Sequence, residues 1–159
     1  MNNRAKFGAG IAGVGVVVAI GLGVAGGASA GHGGALTTGT LDGRSEVANG
    51  ATSGKIVGDP NGRGEVYVFS TGGGVICYVI ETDKIAPATA AHIHEAAAGS
   101  NGPVVVTLSA PSNGSSAGCI DTKNADLAAD ITLLESSNYY VNVHNAEYTG
   151  GAIRAQLGK

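Results

Sequence analysis

From Leu36 onward the chain is broken at short intervals by turn-forming clusters: Asp59-Pro60-Asn61-Gly62, Gly72-Gly73-Gly74, Gly99 to Pro103, Ser112 to Gly118 and Gly150-Gly151. Glycine and asparagine adopt backbone angles that β-branched residues avoid, and proline ends helices and central strands alike, so each cluster is a break. Between the breaks lie runs rich in Val, Ile, Thr and Tyr: Leu36 to Leu41, Ser53 to Val57, Glu65 to Ser70, Val75 to Thr82, Ala88 to His94, Val104 to Leu108, Tyr139 to His144 and Ile153 to Leu157. About eight short runs at this spacing predict an all-β chain, an antiparallel sandwich or Greek-key barrel. One segment departs from the pattern. Asn124 to Leu134 places Leu127, Ile131 and Leu134 four and three residues apart, which predicts a short amphipathic helix with Asn124 or Asp121 as its N-cap. Its apolar stripe should face the sandwich, with Asp126, Asp130 and Glu135 in water.

The segment before Leu36 has a different character. Arg4 and Lys6 are followed by an uncharged stretch from Phe7 to Ala30 that ends Ala28-Ser29-Ala30. A basic start, an apolar stretch and small residues at the end are the marks of a secretory signal peptide, with cleavage expected after Ala30. Residues 1–30 are therefore read as the signal peptide, 31–35 as a flexible start carrying a solvated His32, and 36–159 as one folded domain. No second apolar run of spanning length follows, so no membrane span is expected after cleavage.

Loss of Arg4 and Lys6 takes the formal charge from −3 to −5. With no basic cluster there is no footprint for nucleic acid. The partner expected instead is an extracellular protein or a cell-envelope component. The chain has no Trp and two Phe, of which only Phe69 survives cleavage. Its core must therefore be Val, Ile, Leu, Ala and Tyr, and a crosslink would offset the missing aromatic area. The two cysteines, Cys77 and Cys119, are expected to be bridged in an oxidising compartment.

The chemistry-bearing residues gather in two runs. In Thr89-Ala90-Ala91-His92-Ile93-His94-Glu95, strand alternation puts His92 and His94 on one face and Ile93 on the other. In Tyr139-Tyr140-Val141-Asn142-Val143-His144-Asn145 it puts Tyr140, Asn142 and His144 on one face, with Val141 and Val143 toward the core. If the two strands are neighbours, His92, His94 and His144 converge outside the core, with Asn142, Glu95 and Arg154 as candidates to line the site. Three imidazoles suit copper or zinc. The alternative is that they serve as polar fasteners between strands, and that structural role is the one expected here.

The runs Ala88-Thr89-Ala90-Ala91-His92-Ile93-His94, Ala97-Ala98-Gly99, Gly102-Pro103-Val104-Val105-Val106, Tyr140-Val141-Asn142-Val143-His144-Asn145 and Gly151-Ala152-Ile153-Arg154-Ala155-Gln156-Leu157 closely resemble the CHRD domain. The resemblance extends from about Leu36 to Leu157, and it includes Val75-Ile76-Cys77-Tyr78 and Gly118-Cys119, which support the bridge. It implies an extracellular immunoglobulin-like β-barrel and no reaction, and hence a secreted or surface-associated non-enzymatic module that requires no cofactor. A weaker similarity links His92-Ile93-His94 and Val143-His144 to the copper ligands of copper/zinc superoxide dismutases. Those enzymes need a bridging histidine and zinc ligands from the intervening loop, and residues 95–143 hold no His. Dismutase activity is accordingly not expected, and a copper-binding or redox protein using the three histidines is the alternative function.

Other chemistry is absent from the sequence. No serine lies in a G-x-S-x-G elbow, and Gly72-Gly73-Gly74 joins two strands rather than cradling a phosphate. Arg154, on the last strand, is expected to pair with Glu81, Glu147 or a backbone carbonyl.

Overall fold

The computed structural model describes residues 36–49, 55–134 and 136–158. The segment read as a signal peptide, His32 and Glu135 lie outside these residues. Eight strands form one antiparallel sheet: β1 (Leu36–Asp42), β2 (Arg63–Gly72), β3 (Val75–Asp83), β4 (Ala88–Glu95), β5 (Val104–Leu108), β6 (Ser115–Asp121), β7 (Tyr139–Asn145) and β8 (Ile153–Gln156). Their spatial order is β5-β4-β7-β8-β1-β2-β3-β6, so β1–β2–β3, β4–β5 and β7–β8 are neighbours in sequence and in the sheet, while β3 to β4, β5 to β6 and β6 to β7 cross over. The sheet rolls into a nearly closed barrel. Near its two ends, the Ser109 amide donates to the Tyr78 hydroxyl (2.8 Å) and the Ser116 hydroxyl donates to the Ser109 carbonyl (2.8 Å).

Alternation decides what fills the barrel. Leu41, Val66, Val68, Ile76, Ile80, Ile93, Val141, Val143 and Ile153 are fully buried and pack as one core. Each such side chain contributes about 1.5–3 kcal/mol relative to exposure. The β2–β3 hairpin turns on Gly73 (φ 63°) and Gly74 (φ 87°), the left-handed pair that a two-residue turn compatible with strand twist requires. Across the β3–β6 pair Cys77 stands opposite Cys119, and the two form the expected disulfide over a sequence separation of 42. A crosslink of that span restricts the unfolded chain by about 4 kcal/mol in the chain-entropy account.

Three local expectations differ from the structure. Ser112 to Gly118 reads as a turn, yet the turn ends at Gly114 and Ser115–Asp121 is strand β6. Intrinsic preference is weak there, and pairing decides: Gly118 lies opposite Tyr78, where an added Cβ would sit 3.1 Å from the tyrosine hydroxyl. Ser53 to Val57 reads as a strand; Ser53 and Gly54 lie outside the described residues, and residues 55–57 are irregular. Both edges of β1 are already taken by β2 and β8, so the sheet has no vacancy beside it.

The helix forms, but not as one regular element. Asn124 caps α1 (Ala125–Ala129) by accepting from the Asp126 and Leu127 amides. The chain then widens into a π-type turn over Asp130–Leu134. Thr132 donates its hydroxyl to the Ala128 carbonyl (2.7 Å), the acceptor its own amide would use in an α-helix. The wider turn changes the phase of the stripe, so Ala128 and Ile131 are fully buried while Leu127 is only partly covered. Asp126 is exposed, Asp130 is half-buried, and the Leu134 side chain lies outside the described set. Among the described residues no helix is long and apolar enough to cross a membrane.

This packing separates two substitutions that the sequence pattern treats alike. Ile131→Ala should cost about 2–4 kcal/mol and Leu127→Ala about 1 kcal/mol, because only the first empties a closed site. Urea denaturation of both variants checks it, and equal losses would show that the two positions are buried to the same depth.

Candidate functional site

The outer face of β4, β7 and β8 carries the polar residues that alternation excludes from the core. In the β4–β7 register His92 lies opposite Asn142, His94 opposite Tyr140 and Ala90 opposite His144. On the other side of β7, Arg154 lies opposite Asn142 and Gln156 opposite Tyr140. Between Ile93 and His94 the β4–β5 register shifts by one residue, a bulge that places Val105 unpaired beside the histidine strand.

The three histidines meet there. One ring nitrogen from each of His92, His94 and His144 lies within 4.8 Å of the other two, and all three residues are half-buried. His92 Nδ1 is 3.3 Å from His144 Nε2. Two nitrogens bound tetrahedrally at about 2.0–2.1 Å from one zinc ion stand about 3.3 Å apart. Glu95, at the exposed end of β4, is not among the atoms within this distance.

Backbone carbonyls set the tautomers. His94 Nδ1 is 2.9 Å from the Gly102 carbonyl and His144 Nδ1 is 3.1 Å from the Thr149 carbonyl. A carbonyl only accepts, so both Nδ1 atoms carry the proton and both Nε2 atoms carry the lone pair. His144 Nε2 faces His92. His94 Nε2 is buried and has no hydrogen-bond partner. Burial lowers the pKa of all three rings. Proximity of His144 and His94 lowers His92 further, while the Gly102 and Thr149 carbonyls partly offset the burial of His94 and His144. The rings are therefore held neutral, the form that binds metal.

The loops that supply those carbonyls are fixed by local geometry. Gly102 passes so close to β4 that a Cβ there would lie 1.9 Å from the Glu95 carbonyl, and its amide donates to the Tyr140 hydroxyl (3.2 Å). Asn145 accepts from the Glu147 and Tyr148 amides, an Asx turn that brings Thr149 back over His144. The Tyr140 ring stacks with His94 at 4.7 Å, and the Arg154 guanidinium carbon sits 3.4 Å from its centroid.

Arg154 is 1% exposed and donates to Asn101 Oδ1 (3.1 Å), the Ser100 carbonyl (2.8 Å) and Gln156 Oε1 (3.3 Å). The backbone-carbonyl role expected of it is met by Ser100. The acid that acts on it is Glu46, in place of the expected Glu81 or Glu147. Asp42 caps a short 3-10 turn, Gly43–Ser45, that carries the chain across β8 and sets Glu46 beside Asn142, whose amide donates to Glu46 Oε2 (3.2 Å). Burial pushes the Glu46 carboxyl up to about 7; Arg154 and the Asn142 bond pull it down, and Asp42 adds to the rise. Glu46, Asn101, Gly102, Thr149 and Tyr140 belong to the site without having been singled out as site residues in the sequence. Strand alternation puts Tyr140 on the histidine face and Gly99 to Pro103 reads as a turn, while nothing local marks Glu46 or Thr149.

The raised Glu46 carboxyl has a consequence for stability. Between pH 4.5 and about 7 the folded chain keeps a proton that the unfolded chain has lost. Stability from this group is thus complete below pH 4.5 and lost as pH rises through 7. Glu46→Gln stays neutral, so it should match wild type at about pH 4 and exceed it by about 1–3 kcal/mol at pH 8. Chemical denaturation of both proteins at the two pH values is the check, and a gain independent of pH would point to packing instead.

Neither curated proteins nor solved structures provide a match to the chain. The family model of the CHRD domain matches residues 37–157. That span takes in all eight strands save Leu36 at the start of β1, the disulfide, the histidine cluster and both loops that orient it. The chain belongs to the CHRD domain family.

Proposed function

We propose that the chain is exported, loses residues 1–30, and works outside the cytoplasm or in the cell envelope as a non-enzymatic CHRD module that holds one zinc or copper ion on His92, His94 and His144. The observation that carries the metal is His94 Nε2. It is a buried lone pair with no partner, in a tautomer fixed by Gly102. A buried polar atom left unpaired costs about 1–3 kcal/mol, and a metal ion satisfies it. Hydrogen bonds from the second ring nitrogen to a carbonyl are what metal-ligating histidines make, and His94 and His144 both make them. Copper and zinc fit three imidazoles better than calcium or magnesium, which take oxygen ligands. The partner in the same reading is an extracellular protein or an envelope component.

One contact favours the second reading, in which the histidines are fasteners. Without metal, His92 donates its Nδ1 proton to His144 Nε2 at 3.3 Å. The two roles compete for one proton, because a metal bound to both nitrogens displaces it and leaves His92 protonated at Nε2.

Thermal unfolding with chelator and with one equivalent of Zn(II) or Cu(II) separates them. Wild type should be stabilised by about 3 kcal/mol when free metal exceeds Kd a hundredfold, and His94→Gln should abolish the effect. Equal unfolding with and without metal, together with a loss in His94→Gln under chelator, would leave the fastener reading. Export is tested independently of metal. N-terminal sequencing of the exported protein should begin at Gly31, and denaturing, non-reducing thiol labelling should find neither cysteine free. An intact Met1 in the membrane fraction would rule out cleavage.

A further inference from the structure

We infer that the metal on His92, His94 and His144 takes its fourth ligand from solution, and that this ligand is a small anion bound through one donor atom. The inference rests on the metal-binding reading and goes beyond it by naming what completes the site.

The ligand set is short by one. Four-coordinate zinc closed by protein alone uses four side chains, and three leave an open position for water or an exogenous ligand. Among the described residues, no other His, Cys, Asp or Glu places a ligand atom with the three imidazole nitrogens. Cys77 and Cys119 are locked in their disulfide on β3 and β6. Glu46 accepts from Asn142 through Oε2 and is wedged against Gly151, whose added Cβ would sit 2.5 Å from it; its Oε1 is buried without a partner, yet Glu46 places no oxygen within the histidine cluster. The three histidines are half-buried rather than enclosed, so part of each residue still meets solvent.

Charge selects an anion over a neutral ligand. The imidazoles are neutral and leave both charges of a divalent ion uncompensated. Arg154 adds a cation that is 1% exposed, and its hydrogen bonds go to neutral groups, Asn101, the Ser100 carbonyl and Gln156. Glu46, the carboxyl acting on Arg154 among the described residues, lies outside the histidine cluster. In a partly desolvated site, excess positive charge draws a counter-ion.

The mature protein is loaded with Co(II), a spectroscopically visible substitute for zinc, in chloride-free buffer and titrated with sodium azide, then separately with thiocyanate. One cobalt per chain is expected, with visible bands that shift on titration and saturate at one anion per metal. Bound cobalt whose bands stay fixed up to a hundredfold excess of both anions would overturn the inference while leaving the metal site standing. If those fixed bands move in Glu46→Gln without any anion, Glu46 is the fourth ligand and the inference is again wrong. Failure to bind cobalt, zinc or copper at all would overturn the metal reading itself, and this inference with it.

Discussion

A guanidinium taken out of water must recover its hydrogen bonds from the protein, and Arg154 recovers them from the loop between β4 and β5. That single requirement organises the outer face of the barrel. Ser100 and Asn101 are drawn down onto β8, and Gly102, next in the chain, is delivered to β4 with its carbonyl against His94. Gln156 extends the clamp, its amide nitrogen sharing two N–H donors among the carbonyls of Ala96, Ser137 and Tyr139. The same guanidinium lies over Tyr140, whose ring stacks with His94 and whose hydroxyl accepts from Gly102. The orientation of one imidazole therefore depends on a cation two strands away, through contacts that are each satisfied only when the others form.

The strands were legible because their signal is local. Alternation in Ala88 to His94 and Tyr139 to His144 assigns inward and outward residues without knowledge of the neighbours, and His92, His94 and His144 do share a face. What failed to show was everything set by pairing between distant segments. Ser115 to Gly118 has small residues that read as turn, and they become strand because Glu81, Ile80, Val79 and Tyr78 of β3 stand opposite them. Ser53 to Val57 has strand-like residues, and Lys55 to Val57 stay irregular because β1 has no free edge. Glu46 follows the same rule. Nothing around it in sequence marks it, and its role arises from an Asp42-capped turn that crosses β8. The helix lies between these cases: Asn124 announced its start, whereas the π turn depends on the Thr132 hydroxyl taking the Ala128 carbonyl.

Two titrating systems sit side by side on this face and respond to protons in opposite senses. The imidazoles are pushed toward the neutral form by burial, so acid works against the folded arrangement they make. Glu46 is pushed toward its neutral form too, which for a carboxyl means retaining a proton, so acid favours it. Both shifts have the same first cause, the loss of solvent under the two covering loops. Arg154 divides them: it works against protonation at His94 and against proton retention at Glu46.

Because β7 is buried on both faces, it couples the site to the core. Val141 and Val143 point into the barrel and are fully buried, while Tyr140 and Asn142 point outward and are buried as well. A strand held from both sides has little freedom to tilt or slide, since a one-residue slip would exchange apolar and polar faces at once. His144, the one half-buried residue of that strand, is thus carried on the most constrained element of the fold. The histidines on β4 inherit the same register through their pairing with β7. The disulfide lies on β3 and β6, away from this pair in strand order, and restrains the part of the sheet that β7 does not reach. Rigidity at the imidazole nitrogens therefore comes from packing against the apolar core, and the crosslink supports the barrel wall rather than the site.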